Sequence, residues 1–199
     1  MPDVQEHEGR TAACRLYNAD VEEELTAVAL SPKAGIPGRE VSMFGLPYTL
    51  EHLFSYNATL HSPREVIGPV AEGLRVNAFM TGGKVDGPRL RGIVRPGSGA
   101  DWLTIRTDGI AVLDVRGTIE THDGGLIYTA YRGLSDFGPD GYARALKGEP
   151  VPDGTPIRTV PTFQTAHPDY VWLNRIQALG IGEIIRSRSE VRYDVYAVR

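Results

Sequence analysis

The chain is poor in the residues that support several common chemistries. One cysteine, Cys14, occurs among 199 residues, which excludes an internal disulfide framework. Only three of the 21 basic residues are lysines, so few candidates exist for a Schiff-base lysine. No apolar run approaches the length of a membrane-spanning helix. The net charge of -4 argues against nucleic-acid or anionic-membrane partners, because both require a basic surface.

Sequence signatures of cofactors and metals are missing as well. The chain has no Gly-x-Ser-x-Gly elbow, no Walker loop and no dinucleotide fingerprint, and its five histidines are scattered without metal-ligand spacing. We therefore predict neither a cofactor nor a metal site. The first residues lack the basic and apolar regions of a signal peptide, so a cytoplasmic location is expected.

Short β-type runs separated by turn residues dominate the sequence after residue 47. The pairs Asp108-Gly109 and Asp123-Gly124 are strong hairpin signals. Many short strands with little helix favour a closed barrel, because closure removes exposed edges. We predict an all-β, mainly antiparallel barrel of about nine strands with one or two short helices. The predicted strands cover 48–60, 74–81, 89–94, 102–107, 110–120, 125–132, 157–164, 175–180 and 191–198, and a short helix covers about 168–174.

Two segments fall outside this strand pattern. Residues 1–46 are predicted to form an appendage with a helix over Asp20–Leu30, which leaves 47–199 as the barrel domain. The stretch from Leu134 to Pro156 is rich in Gly, Pro and Asp without a clear period. Its length favours a functional lid or a partly ordered loop over a simple connector.

A glycine-rich run between Thr81 and Trp102 is the most distinctive part of the sequence. Six glycines and two prolines lie within it, which predicts a strongly bent antiparallel sheet. It belongs to an ordered series of short motifs: Gly73-Leu74-Arg75, Thr81-Gly82-Gly83, Gly87-Pro88-Arg89-Leu90-Arg91-Gly92, Pro96-Gly97, Ala100-Asp101-Trp102, Asp108-Gly109, Leu113-Asp114-Val115-Arg116, Asp123-Gly124-Gly125-Leu126-Ile127-Tyr128 and Tyr170-Val171-Trp172-Leu173-Asn174.

From about Leu50 to its C-terminus, the chain resembles the domain of unknown function family 3237 in the order and spacing of these motifs. The resemblance implies a lipocalin-like or allene-oxide-cyclase-like barrel. It also implies, for members in natural-product pathways, a cofactor-free cyclase that adds a hydroxyl to an alkene of a phenolic polyketide. This chain departs from the family pattern at Ser98-Gly99 and by an insertion around Asp136–Pro156, and both departures bear on the shape of a pocket entrance.

Asp101 beside Trp102 is the main candidate for acid–base catalysis. Desolvation by the indole would raise the pKa of the carboxyl and make it a better base. The alternative is an aspartate that caps its own turn while Trp102 fills the end of the barrel. Both interpretations stay open at this stage.

Further candidates lie on strands whose orientation the sequence leaves open. Asp114 and Arg116 share one strand face, as do Arg75 and Phe79, and each face either lines the lumen or is solvated. An arginine beside an aromatic ring suits an oxygen-rich aromatic ligand. Arg116 and His52 join Asp101 as catalytic candidates. The ligand-binding candidates are Arg75, Phe79, Arg91, Trp102, Asp114, Tyr131 and Phe163.

These candidates have structural interpretations too. His52 either shuttles a proton or is a satisfied structural histidine. Tyr128 and Tyr131 lie on opposite strand faces, so at most one faces a lumen, and Phe163 belongs either to a pocket wall or to the core.

Together these observations predict a cofactor-independent lyase or isomerase, specifically a cyclase acting on a hydrophobic, oxygenated small molecule. The alternative is a barrel that binds such a molecule without transforming it. A homodimer is plausible for a barrel of this size.

Overall fold

The protein is described over residues 45–199 by a computed structural model, and these residues form ten β-strands. The predicted appendage and its helix at Asp20–Leu30 lie outside the described residues. The strands are β1 (Leu50–Leu60), β2 (Glu65–Val70), β3 (Gly73–Asp86), β4 (Gly92–Val94), β5 (Ala100–Ile105), β6 (Ile110–Thr121), β7 (Leu126–Asp136), β8 (Thr155–Gln164), β9 (Gln177–Ile185) and β10 (Glu190–Val198).

The strands close into an antiparallel barrel with eight positions around its circumference. The order is β1, β10, β9, β8, β7, β6, then β4 and β5, then β3, which pairs with β1 and closes the ring. β4 and β5 share one position, because both pair with β3 on one side and with β6 on the other. The predicted closed barrel is confirmed.

One strand of the ten was absent from the sequence prediction. β2 pairs only with β3 among the described strands, so it lies beside the ring rather than in it. Gly68 and Pro69 interrupt its β pattern, and the register shifts between Val66 and Gly68. Proline is tolerated here because an edge strand has one unpaired side.

The two Asp-Gly pairs form turns between neighbouring strands, as predicted. Gly109 and Gly124 have φ angles of 86° and 85°, a region that favours glycine. The Asp108 carboxylate accepts the Ile110 N–H at 3.2 Å, which fixes the β5–β6 turn. This connection sets β6 beside β5, with Asp101 opposite Val115.

Helical structure in residues 45–199 is limited to short segments. α1 covers Gly141–Leu146, and 3₁₀ helices cover Pro168–Arg175 and Arg186–Arg188. The 3₁₀ helix at Pro168–Arg175 agrees with the helix predicted at about 168–174. No helix in the described part of the chain is long and apolar enough to cross a membrane.

The two ends of the barrel differ in packing. Large buried side chains fill the closed end, where Tyr170 and Leu173 of the longer 3₁₀ helix join the cluster around Phe54 and Phe163. At the other end, a smaller cluster of Leu74, Val76, Ile105 and Ala111 packs against Phe137 and against Tyr142 and Ala145 of α1. A cavity lies beside this second cluster, so we call this end of the barrel the open end.

Candidate functional site

The open end of the barrel contains a cavity of about 400 Å³, which we call the lumen cavity. Exposed residues such as Ser62 and Glu149 line it, so it reaches the surface. Its walls are mostly apolar side chains from three adjacent strands: Leu74, Val76, Ala78 and Met80 of β3, Leu103 and Ile105 of β5, and Ala111, Leu113 and Val115 of β6. An apolar pocket of this size with a few polar groups is typical of a small-molecule site.

Asp101 is the acidic group that β5 places among these apolar walls. Residues on one face of β5 alternate with those on the other, so Asp101, Leu103 and Ile105 all line the cavity. The Asp101 carboxylate accepts the backbone N–H of Asp114 at 3.1 Å. Burial raises the pKa of Asp101 from 3.8 to about 7, and the neighbouring Asp114 charge adds to the rise. The Asp114 N–H and the Arg75 charge act in the opposite direction.

Three tyrosines form a cluster that begins two strands from Asp101, where Val115 of β6 pairs with Asp101 on one side and with Tyr131 on the other. Tyr131 of β7 and Tyr193 of β10 line the lumen cavity, and their rings meet edge to face at 5.8 Å. Tyr56 of β1 stacks on Tyr193 at 5.0 Å, and its hydroxyl donates to the Tyr131 hydroxyl at 2.9 Å. Burial raises the pKa of all three phenols well above 10, and the Asp101 charge contributes to each rise. The phenols are therefore protonated at neutral pH and can donate hydrogen bonds.

The predicted lid segment contributes to the opening of this cavity. β7 extends to Asp136, and the following segment with α1 supplies Phe137, Arg144 and Val151 to the lining. Arg144 donates to the Phe137 carbonyl, which holds α1 against the turn before it. The segment therefore borders the entrance to the cavity.

Three of the proposed ligand-binding residues lie on the outer face of the barrel. Arg75 and Phe79 alternate with the lumen-facing residues of β3, and the Phe79 side chain is exposed. Trp102 likewise alternates with Asp101 on β5. Arg75 donates to the Trp102 carbonyl at 2.6 Å, so it joins β3 to β5 from outside. Asp101 thus faces the lumen while its neighbour Trp102 faces away.

The β6 candidates also lie on the outer face. Asp114 and Arg116 form an ion pair at 3.2 Å, and the Arg116 guanidinium lies over the Trp102 ring at 5.4 Å. The inward face of β6 consists of Leu113, Val115 and other apolar residues. The sequence left open whether the face with Asp114 and Arg116 lines the lumen or is solvated, and in the structure this face is solvated.

His52 and Arg91 are separated from the lumen as well. His52 Nε2 lies 3.1 Å from the Ser55 hydroxyl, and its ring packs 5.3 Å from Tyr196. Arg91 is largely exposed and lies 3.5 Å from the Asp86 carboxylate. Neither side chain lines the lumen cavity.

Tyr131 and Phe163 lie inside the barrel at different depths. Phe163 is buried and packs edge to face on Phe54 at 6.0 Å, beneath the lumen cavity. Tyr131 separates the lumen cavity from the packed region that contains Phe163. Tyr128, on the other face of β7, is exposed. The structure therefore brings two of the ten predicted residues, Asp101 and Tyr131, to one cavity.

Sequence reasoning missed Tyr56 and Tyr193 as site residues. Tyr56 shares a strand face with Phe54 and Ala58, and Tyr193 shares one with Val195 and Ala197. A polar aromatic on an otherwise apolar strand face is the signal that marks both.

A second depression, of about 590 Å³, lies across β1, β3, β8, β9 and β10. Tyr56 and Tyr193 contribute to its lining together with several charged side chains, and Lys84 there pairs with Asp86 at 3.0 Å. Contact with Lys84 lowers the pKa of Asp86 there, whereas burial raises that of Asp101, so the lumen cavity is the better candidate for chemistry.

One group in residues 45–199 has the composition of a metal site. Asp123, His167 and Asp169 each offer a ligand atom, and these atoms lie within 4.8 Å of one another near the closed end. However, the Asp123 carboxylate already accepts hydrogen bonds from Thr121 and Tyr170, and both aspartates are exposed. Exposed acidic groups of this kind are common without an ion.

Comparisons with known proteins connect this barrel to a family. The profile of the proteins of unknown function called DUF3237 matches residues 48–198. The UPF0311 protein RPA1785 of Rhodopseudomonas palustris is 38% identical over 133 residues, which cover 66% of this chain and 84% of that protein.

Solved structures show the same architecture. A β-barrel-like protein from Acinetobacter baumannii superposes with a TM-score of 0.66 at 30% identity and covers 77% of this chain and 98% of its own. An enzyme from Penicillium herquei has a TM-score of 0.57 at 21% identity, covering 82% of this chain and 100% of its own. At that identity the likeness concerns the fold alone.

Proposed function

The chain belongs to the DUF3237 family, and from that membership and the lumen cavity we propose that it is a cofactor-independent cyclase. The reaction is an intramolecular addition of a hydroxyl to an activated alkene on a hydrophobic, oxygenated small molecule. The observation that supports it best is a carboxyl with a pKa of about 7, set in an apolar cavity near protonated phenols. A general base works best when its pKa lies near the operating pH.

Asp101 acts first, as the base. Its ionised carboxylate accepts the proton of the substrate hydroxyl while that oxygen attacks the alkene carbon that is β to a carbonyl. One O–H bond breaks and one C–O bond forms, and negative charge moves to the carbonyl oxygen. The cavity walls hold the flexible substrate in the folded conformer that this attack requires.

The tyrosine cluster stabilises the enolate that results. Because Tyr56 donates to Tyr131 and the Tyr131 hydroxyl in turn donates toward Tyr193, the Tyr193 hydrogen at the end of this series is available for a substrate oxygen. Preformed donors in a low-dielectric site stabilise developing charge more than water does. Protonated Asp101 then returns its proton to the α carbon, so the overall reaction is an isomerisation. We assign oxyanion stabilisation to the phenols because Arg75 and Arg116 lie on the outer face.

Turnover of 2′-hydroxychalcone and related phenolic enones tests this function. Ring closure removes the enone absorbance. Chiral chromatography distinguishes the enzymatic product, which is enriched in one enantiomer, from the racemic product of the spontaneous reaction. Asp101→Asn is expected to lower the rate by about 100-fold or more, as loss of a general base does. The matched control is Asp86→Asn, which removes an exposed carboxylate on the outer surface.

A rate that is unchanged in Asp101→Asn would contradict the role of Asp101. Tight binding of these enones without loss of the enone absorbance and without formation of a chiral product would instead favour the alternative of a non-catalytic binding barrel. The size and apolar lining of the cavity suit that alternative equally, whereas the raised pKa of Asp101 favours catalysis.

A further inference from the structure

The entrance of the lumen cavity carries more positive than negative side chains. Arg64, Arg144 and Arg186 line it together with Glu149 and Glu190. Three cations against two carboxylates leave one positive charge, while the walls further in are apolar. A ligand that matches this arrangement has an apolar body and one negative charge at its outer end.

Two of these five charged groups are engaged within the protein. Arg144 donates to the Phe137 carbonyl. Glu190 accepts from Arg192 Nε at 2.5 Å, and its side chain is only 11% exposed. Neither group therefore needs the ligand as a partner.

Arg64 and Arg186 have no counter-charge among residues 45–199. Arg64 is half-buried and donates to the His61 carbonyl, which is neutral. Within residues 45–199, neither guanidinium has a carboxylate at ion-pair distance. Burial and then the charge of Arg186 lower the pKa of Arg64, so the two like charges lie close enough to repel. An anion that contacts both would remove this repulsion.

We propose that the substrate is a carboxylic acid, with its acidic group held by Arg64 and Arg186 and its apolar body directed into the lumen. This inference rests on the proposed function for the role of Asp101, but the anion site itself does not require turnover. The planar guanidinium fork matches a carboxylate in a bidentate manner, and a single negative charge balances the excess at the entrance.

Binding of 1-pyrenebutanoic acid and of its methyl ester tests the anion site. The two probes share an aromatic body and differ by one charge, and pyrene fluorescence reports their binding to the full chain. The acid is expected to bind about tenfold more tightly than the ester. This preference should shrink as the salt concentration rises.

Matched variants locate the effect. Arg64→Gln and Arg186→Gln are each expected to reduce the preference for the acid several-fold while the affinity for the ester stays unchanged. Arg132→Gln removes an exposed arginine on the outer face and should preserve the preference. Thermal melting of each variant confirms that the barrel is folded.

Each alternative outcome has a distinct meaning. Equal affinity of the acid and the ester in the unmodified protein would overturn the anion site and leave the proposed cyclase intact. A preference for the acid that survives in both arginine variants would place the anion elsewhere and also overturn the inference. Failure of both probes to bind would contradict the lumen as a ligand site, and the proposed function would fall with it.

Discussion

The carboxyl of Asp101 titrates near neutrality because its surroundings are apolar. In the unfolded chain its pKa is near 3.8, and in the folded protein it is about 7. Between these values the folded state binds more protons than the unfolded state, so stability falls as pH rises. The contribution of protonated Asp101 to the free energy of unfolding is complete below pH 4 and is lost as the pH rises through 7. The pKa difference corresponds to roughly 4 kcal/mol.

We therefore predict that Asp101→Asn makes the protein more stable than the parent at pH 8, by up to roughly 4 kcal/mol. Near pH 4 the advantage should vanish, because the parent carboxyl is then protonated as well. Urea unfolding of both proteins across this range measures the difference, in which other titrating groups cancel. A difference that does not change with pH would show that Asp101 is not desolvated.

The hydroxyl pair of Tyr56 and Tyr131 gives a second prediction. Tyr131→Phe leaves the buried Tyr56 hydroxyl without its acceptor and should cost about 1–3 kcal/mol in the free energy of unfolding. Tyr128→Phe, on the exposed face of the same strand, should change stability by less than about 0.5 kcal/mol. Equal effects of the two substitutions, measured by urea unfolding, would argue against a buried hydroxyl pair.

Among the secondary-structure elements, β5 depends on a close approach of backbones. A Cβ at Gly99 would lie 1.8 Å from the Arg116 carbonyl oxygen, so any side chain there forces β5 and β6 apart. At Gly97 a Cβ would meet nothing within 4 Å, although the φ of +66° still favours glycine. Ser98, between them, accepts the Thr118 N–H at 3.0 Å, which ties this turn to β6.

Two alanine substitutions distinguish the effect of close backbone approach at Gly99 from that of the positive φ at Gly97. Gly97→Ala should cost about 1–2 kcal/mol, the cost of a left-handed conformation for a residue with a Cβ. Gly99→Ala should cost more than about 3 kcal/mol, because backbone atoms must move. Chemical unfolding of both variants tests the order, and a smaller cost at Gly99 than at Gly97 would contradict the close pairing of β5 with β6.

Strand patterns in the sequence account for most of the barrel and little of the site. The alternation in β6 predicts two faces, but only closure of the ring determines that the face with Leu113 points inward and the face with Arg116 outward. β2 was not predicted because Gly68 and Pro69 break its alternating pattern. The tyrosine cluster was not predicted because Tyr56, Tyr131 and Tyr193 are far apart in sequence and meet only through strand pairing. The position of Asp101 after a glycine turn, in contrast, is a local signal that the sequence shows directly.

In the whole molecule, the uneven filling of the barrel separates stability from binding. Leu173 is fully packed at the closed end, whereas Leu113 borders the lumen cavity. Removing a packed side chain loses more contacts than removing one that already faces empty space. The closed end is thus expected to contribute most of the stability.

We predict that Leu173→Ala costs about 2–5 kcal/mol and that Leu113→Ala costs less. Only Leu113→Ala should change the affinity for an apolar ligand of the lumen, since it reshapes the cavity wall. Urea unfolding and pyrene titration of the two variants measure both quantities. A larger loss of stability at Leu113 would mean that the two ends are packed alike.

Because Asp101 and Trp102 point in opposite directions, the fluorescence of Trp102 can report ligand binding in the lumen. A single peptide unit joins a carboxyl that contacts the lumen to an indole that rests against Arg116 outside. A lumen ligand that displaces β5 would alter the distance between the guanidinium and the indole, and the emission of Trp102 would follow. With Trp172 replaced by Phe, that emission is expected to report occupancy of the barrel in unlabelled protein, and a spectrum unchanged at saturation would show that β5 stays rigid.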